Sequence, residues 1–272
     1  MAAHALVVFG ITGRMGQSLV RAVRESSQFR LSAAVASGAS SRLGLDAAAE
    51  GEPTGVAITA DCGLALRQAA VAVDFSLADA VAMHARACAE AGVPLLVGAT
   101  GLEGAARTEL ASAAQAIPVL IAPNTSLGVA VLHRLVAAAA LELGPSYDVE
   151  ISEAHHRLKR DAPSGTALSL GEAVARARGQ RLNEAAAYSG DGRSTARSPG
   201  SIGFSVVRAG DIVGEHTVTL AAAGERLEIT HRATDRLIFA RGALKAAAWL
   251  VGQPAGLYGM QDMFGIEKKH GQ

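Results

Sequence analysis

At 272 residues, half of them hydrophobic and with a formal net charge of zero, the chain is long enough to bury a large core and to make two domains. The balanced charge argues against a generic binder of nucleic acid or of acidic membranes. Many of the hydrophobic residues are alanines, which favour helices, and no run reaches the roughly 18 unbroken apolar residues of a spanning helix.

The first ten residues, M-A-A-H-A-L-V-V-F-G, lack the charged start and small-residue cleavage pattern of a signal peptide and run directly into a strand-like segment. A soluble cytoplasmic protein is therefore expected. Cys62 and Cys88 form neither a CxxC pair nor a metal-ligand spacing, and read as two buried thiols; no metal site is expected.

Ala5 to Phe9 is a continuous apolar run, as in a strand buried on both faces. Gly10-Ile-Thr-Gly13-Arg-Met-Gly16 follows at once, then an amphipathic run to about Glu25. Strand, glycine turn and helix form the setting of a dinucleotide fingerprint, in which the glycines let the backbone approach a pyrophosphate at a helix N-terminus. The spacing is GxxGxxG rather than GxGxxG, so a purely structural glycine turn stays open on this motif alone. Further apolar runs at Leu31 to Val35, Val71 to Phe75, Pro94 to Val97 and Val119 to Ala122 alternate with helical stretches. Regular alternation predicts a parallel, doubly wound sheet of the Rossmann type. Gly10, Phe75, Gly98 to Thr100 and Asn124 then fall at the carboxyl ends of its strands, where ligands bind in such sheets.

After the second strand, where an acid would bind the ribose hydroxyls of NAD, the chain has Ala36-Ser37-Gly38-Ala39-Ser40-Ser41-Arg42. No carboxylate repels a 2′-phosphate here, and Ser37, Arg42 or Arg14 could contact one. The alternative is a loop with no phosphate contact. The reading points to NADPH.

A helix follows Gly128 to about Leu143, ended by Pro145. Tyr147 to Ala154 alternates as a strand, with Val149, Ile151 and Ala154 marking one face and His155 and His156 at its end. Ser164 is a good N-cap for a helix whose apolar face is Leu168, Leu170, Ala173, Val174 and Ala177, with Gly179 at its C-terminal end. His155, His156 and Lys159 thus lead into a capped helix start at Gly165 and Thr166. That arrangement suits a carboxylate beside groups able to transfer protons near neutral pH; a satisfied core hydrogen bond would be the plainer reading of a lone histidine, but not of this cluster. Arg157 and Arg160 are expected to face solvent. Gln180 to Ser201 reads as a long mobile loop, and Ile202 to Ala209, Glu215 to Ala222 and Arg226 to Ala233 as strands of an antiparallel or mixed sheet. Ala240 to Val251 is a last helix. The expected organisation is a dinucleotide-binding domain over 1–126, with 240–272 packing back onto it, and a substrate-binding and oligomerisation domain of α+β type with a mixed sheet over 127–239.

These motifs resemble the dihydrodipicolinate reductases, bacterial and plant enzymes of lysine and diaminopimelate biosynthesis. The resemblance rests on Gly10-I-T-G-R-M-Gly16, Val73-D-F-Ser76, Gly98-A-T-Gly101, Ala122-P-N-T-Ser126, Glu153-A-H-H-R-L-K-R-D-A-P-S-G-T-Ala167 and Gly203-F-S-V-V-R-A-G-D-I-V-G-E-His216, in the family's order over most of the chain. It implies hydride transfer from NADH or NADPH to C4 of a small cyclic dicarboxylate, with loss of a hydroxyl as water. It places proton transfer on His155 and Lys159, and substrate binding on His156, Gly165, Thr166 and Arg236. Cofactor contacts fall on Gly10, Ile11, Thr12, Gly13, Arg14, Met15, Gly98, Ala99, Thr100, Ala122, Pro123, Asn124 and Thr125. It also implies a homotetramer in which the second-domain sheets pack together. One departure is that Ala36 and Ser37 occupy places where members often carry an acid and then a base.

Two rival readings are another two-domain nicotinamide dehydrogenase and a catalytically silent NAD(P)-sensing module. A thioester-forming semialdehyde dehydrogenase would need a nucleophilic cysteine, but Cys62 and Cys88 lie in the nucleotide half. A silent sensor would be free to lose His155 or Lys159, and both are present.

Overall fold

The structure, a computed structural model, describes residues 2–188 and 197–265. The chain divides into two compact units, Met1–Leu127 with Leu237–Gln272, and Gly128–Arg236.

In the first unit the described residues form a seven-stranded, all-parallel sheet: β1 (His4–Phe9), β2 (Phe29–Val35), β3 (Ile58–Thr59), β4 (Val71–Asp74), β5 (Leu95–Val97), β6 (Pro118–Ile121) and β12 (Gly256–Tyr258), in the order β12-β6-β5-β4-β1-β2-β3. The central strands are apolar on both faces because both faces are covered. Helices α2 (Cys62–Leu66), α3 (Ala78–Ala91) and α4 (Gly104–Ala113) share a core with Val7, Phe9, Ala72, Leu95 and Val119. Helix α1 (Arg14–Arg24) and the late helix α8 (Leu237–Leu250) pack against each other, and α8 lies along β4, β5 and β6. The doubly wound expectation holds. Two short edge strands, β3 and β12, and the short helix α2 were not anticipated, because runs of two to five residues carry too little periodicity to stand out.

The second unit is a five-stranded mixed sheet in the order β11-β10-β7-β9-β8. Its strands are β7 (Asp148–His155), β8 (Ala186–Tyr188), β9 (Ile202–Arg208), β10 (Gly214–Ala222) and β11 (Glu225–Ala233). Strands β7, β10 and β11 pair antiparallel, whereas β9 runs parallel to β7 and β8. Helices α5 (Leu127–Leu143) and α6 (Gly165–Ala177) cover one face through Leu132, Val136, Ala140, Leu170 and Val174 against Val149, Ile151, Phe204, Val218 and Leu220. By length and a mean hydropathy of 1.6, the segment Leu127–Ser146 would suffice to cross a bilayer, which the sequence reading did not anticipate. In this fold one side of it fills the core of the unit, while Val131, Leu135 and Leu141 are exposed. Pro145 sits in a 3-10 turn after α5, behind Gly144 at φ +67°.

Within the supposed loop at 180–201 the chain forms α7 (Leu182–Ala185) and then β8, which adds the sheet's edge. Leu182 is buried under α6, and this anchoring contact is what a compositional reading misses. Residues 189–196 of that loop lie outside the described residues.

Candidate active site

In the first unit the glycine turn is shaped by close approaches. Gly10 has φ +76°, and a Cβ there would lie 2.7 Å from the Phe75 carbonyl oxygen. A Cβ on Gly98 would lie 2.1 Å from the Phe75 ring. Gly10 and Ile11 N–H groups both donate to the Val35 carbonyl, and Gly13 N–H to that of Gly10, so the turn is tied to β2 and closes on itself. Gly13 is the N-cap of α1 and supplies no capping side chain, so the helix N-terminus meets whatever approaches with its own N–H groups. Thr12, Gly13 and Arg14 are exposed and Met15 is half-buried, whereas the Ile11 side chain is fully in the core.

Gly10, Phe75, Gly98 and Ala122 follow β1, β4, β5 and β6, which are neighbours in the sheet. The sheet order reverses between β1 and β4, which is the point where nucleotides enter folds of this kind. Thr100 and Pro123 are exposed there; Ala99 and Ala122 are buried. Thr125 is buried, and its hydroxyl donates to the Phe239 carbonyl at 2.7 Å, so it fastens the segment after β6 to α8. Asn124 accepts from the Ser126 N–H through Oδ1.

Past β2, Ser37 is exposed. Arg42, a candidate phosphate contact in the sequence, is instead bound into its own loop, its Nη2 donating to the carbonyls of Asp46 and Ala48 at 2.9 and 3.0 Å. Asp46, the first acid after β2, accepts from the N–H groups of Ala48, Thr54 and Gly55, and these bonds, led by that from Thr54, hold its carboxyl down at about 2. It is therefore a structural anion. Arg14 is the cation at the glycine turn left exposed.

In the second unit the end of β7 departs from an ordinary core strand. Its buried face runs Val149, Ile151, Glu153, His155 by strict alternation. Ala154, assigned to that face from the sequence, points the other way, because the period of a strand is two and Ile151 fixes the parity. His155 Nδ1 lies 2.6 Å from Glu153 Oε2. Arg208, paired with His155 across β9, donates from Nη1 and Nη2 to both Glu153 oxygens at 2.7 Å each. The N–H of Ser164 adds a bond to Oε1 at 2.9 Å. Burial works against the Glu153 anion, but the bonds from Arg208, His155 and Ser164 outweigh it and hold the carboxyl below its usual range. An ionised carboxylate only accepts, so the His155 proton sits on Nδ1 and Nε2 carries the lone pair. Burial first, then the charges of Lys159 and Arg208, overcome Glu153 and keep the ring neutral. Gly214, at the start of β10, leaves room at that nitrogen: a Cβ there would lie 3.0 Å from Nε2.

Ser164 caps α6 as expected, its Oγ accepting from the Ala167 N–H. The same oxygen lies 3.1 Å from Nε2 of His216, whose ring stands edge-on to His155. Burial, then the nearby His155, pushes His216 down to about 4. Lys159 pairs with Asp161 at 2.9 Å, and this partner outweighs burial in holding Asp161 low. Gly165 is exposed at the first position of α6, with open space where a side chain would go. His156 is half-buried and Arg236 exposed, at the end of the unit.

The sequence pointed to His155, Lys159 and the helix start; it did not single out Glu153, Arg208, Gly214 and His216, which the fold brings against His155 and Ser164. Glu153 was within reach: strand parity sends it inward, and a buried carboxylate requires a partner.

A doubly wound parallel sheet with a glycine turn at its switch point, followed by a unit carrying a buried carboxylate–imidazole pair, defines a two-unit oxidoreductase that uses a nicotinamide nucleotide. The chain matches the family model described as dihydrodipicolinate reductase, N-terminus, over residues 4–125, and that described as dihydrodipicolinate reductase, C-terminus, over 128–264. The 4-hydroxy-tetrahydrodipicolinate reductase of Anaeromyxobacter dehalogenans strain 2CP-1 is 50% identical over 263 residues, 96% of this chain and 97% of the relative. That of Thiobacillus denitrificans is 48% identical over 263 residues, 96% and 98% of the two chains. The dipicolinate-bound dihydrodipicolinate reductase from Paenisporosarcina sp. TG-14 superposes with a TM-score of 0.77 at 22% identity, covering 96% of this chain and 99% of the other. The chain belongs to the dihydrodipicolinate reductase family.

Proposed function

We propose that this chain reduces 4-hydroxy-tetrahydrodipicolinate to tetrahydrodipicolinate with loss of water, the corresponding step of lysine and diaminopimelate biosynthesis. The observation that carries the reading is the Glu153–His155 pair clamped by Arg208 beside Lys159, in a chain of this family. The glycine turn and the uncapped start of α1 fit a dinucleotide pyrophosphate, because a side chain at Gly10 would collide with Phe75.

A reduced nicotinamide held at the turns of Gly10 and Gly98 would supply the hydride that C4 of the ring takes up. Before that, C4 must lose its hydroxyl, and the neighbouring carbon, which lies next to the imine carbon, must lose a proton. His155 is neutral with a free Nε2 and takes that proton; Lys159 protonates the departing hydroxyl. Once C4 is reduced, His155 returns its proton to the same carbon. The net reaction takes up one hydride and one proton and releases one water. Glu153 stabilises the imidazolium formed in between, and the N–H groups at Gly165 and Thr166 with His156 and Arg236 bind the carboxylates.

NADPH serves at least as well as NADH in this reading. Asp46 is engaged within its own loop, Ser37 is exposed where an acid would repel a 2′-phosphate, and Arg14 is available to attract one. The outer face of the second sheet, with Ser152, Val207 and Thr217 on it, is the surface through which a homotetramer would form.

The test is oxidation of NADPH and of NADH by the purified protein, with substrate generated in situ from pyruvate and aspartate semialdehyde by the preceding synthase. Turnover that collapses in Lys159→Ala establishes reaction and site together. Absence of turnover with either nucleotide, in folded protein that binds NADPH, overturns the reading in favour of a silent sensor.

A further inference from the structure

The first unit buries a charged pair that the reaction does not use. Asp74, the last residue of β4, is completely buried, and His84 of α3 is 5% exposed. His84 Nδ1 lies 2.8 Å from Asp74 Oδ2, and its ring stacks on Phe9 at 4.2 Å between centroids and 13° between planes. Asp74 Oδ1 accepts the N–H of Ser76 at 2.7 Å, and the Asp74 carbonyl accepts that of Gly98 at 2.8 Å. Between Asp74 and Ser76 stands Phe75, whose carbonyl abuts Gly10 and whose ring abuts Gly98. One residue thus separates the glycine turn after β1 from the turn after β5, and the buried pair grips it on both sides.

We propose that Asp74 and His84 are positioning residues for the dinucleotide: by fixing the Asp74–Ser76 turn they hold Phe75, and through it the spacing of the two glycine turns that receive the cofactor. This rests on the reading of that strand edge as the nucleotide site. A buried carboxylate left without its donor would draw in water or rotate, and either movement releases the Ser76 N–H and the turn it closes. Burial alone would leave the His84 ring neutral; the bond to Asp74, the Cys62 thiol and the charge of Asp74 overcome this and push it up to about 9, so the grip is that of an ion pair at neutral pH. The Cys88 thiol, also near Asp74, is pushed up by burial and remains protonated.

The experiment measures direct binding of NADPH and NADH by fluorescence, together with KM and kcat, in four variants. His84→Phe keeps the stack on Phe9 and removes the donor; it should weaken both nucleotides about tenfold or more, with kcat at saturating cofactor lowered less than about twofold. His84→Asn retains a donor at the Nδ1 position and should restore binding to within about threefold. Wild-type affinity in His84→Phe, or equal weakening in both variants, overturns the proposal, since a merely structural pair would alter thermal stability without this split or rescue. Should His84→Phe fail to fold, Asp74→Asn decides: its volume is unchanged and it still accepts from Ser76, but it presents a donor to His84, so wild-type affinity there equally overturns the proposal. Thr12→Glu is the control for the site itself, because Thr12 is exposed on the glycine turn and a carboxylate there repels a pyrophosphate. Normal binding in Thr12→Glu refutes the nucleotide site; lost binding there with normal binding in His84→Phe refutes the positioning role alone.

Discussion

Glu153 and His155 stand two residues apart on the buried face of β7 and meet at 2.6 Å, at the point where that face passes from apolar core to ionisable groups. Strand alternation sends both side chains inward, and Arg208 on the neighbouring strand makes the carboxylate tolerable there.

Replacing Glu153 by Gln keeps the volume and removes the charge that stabilises a protonated His155. The expected result is a fall in kcat on the order of a hundredfold with little change in substrate KM, read from steady-state kinetics. Wild-type kcat would show that His155 works without its carboxylate.

Arg208→Ala leaves Glu153 completely buried without its two-pronged partner. The second unit should lose about 3–5 kcal/mol of stability at neutral pH. The deficit should shrink as pH falls, because protonation of Glu153 removes the unpaired charge. Thermal melts of both proteins between pH 4 and 8 measure it.

Two buried histidines give opposite pH signatures. His84 is held at about 9 against an ordinary 6.5, so its contribution is complete below pH 6.5 and lost as pH rises through 9. His216 lies at about 4, so the unfolded chain takes up a proton that the folded one refuses, and stability falls as pH drops from 6.5 through 4. Each effect is on the order of 2–3 kcal/mol. The stability gap between the protein and His84→Phe should narrow towards pH 10, and His216→Gln should flatten the acid limb.

Two glycines separate packing from binding. Gly98→Ala drives a methyl into the Phe75 ring and should cost about 1–3 kcal/mol of stability. Gly165→Val enters open space and should leave stability within about 0.5 kcal/mol, yet raise substrate KM by obstructing the carboxylate at the start of α6. An unchanged KM would remove Gly165 from the substrate site.

Arg14 and Arg42 divide the question of cofactor preference. Arg14→Ala should raise KM for NADPH several-fold and leave NADH unaffected. Arg42→Ala should loosen the loop around Asp46 without changing the ratio of the two. The reverse pattern would place the 2′-phosphate on Arg42.

What the sequence by itself determined is what neighbouring residues decide among themselves. The apolar run before Gly10, the glycine turn and helix after it, and the Ser164 cap ahead of α6 depend on backbone freedom and hydrogen bonds spanning a few residues, and all could be read directly. His155 and Lys159 stood out because they occupy one short segment. The tertiary structure alone decided the partners: Arg208 reaches Glu153 across 55 positions, Ser164 meets His216 across 52, and the Thr125 hydroxyl closes on Phe239 across 114. It also turned Arg42 from a phosphate candidate into a loop brace, and joined Asp74 to His84 beneath the glycine turns. Whether a buried polar group finds its partner depends on which strands and helices become neighbours, and sheet order, unlike propensity, is a property of the whole chain.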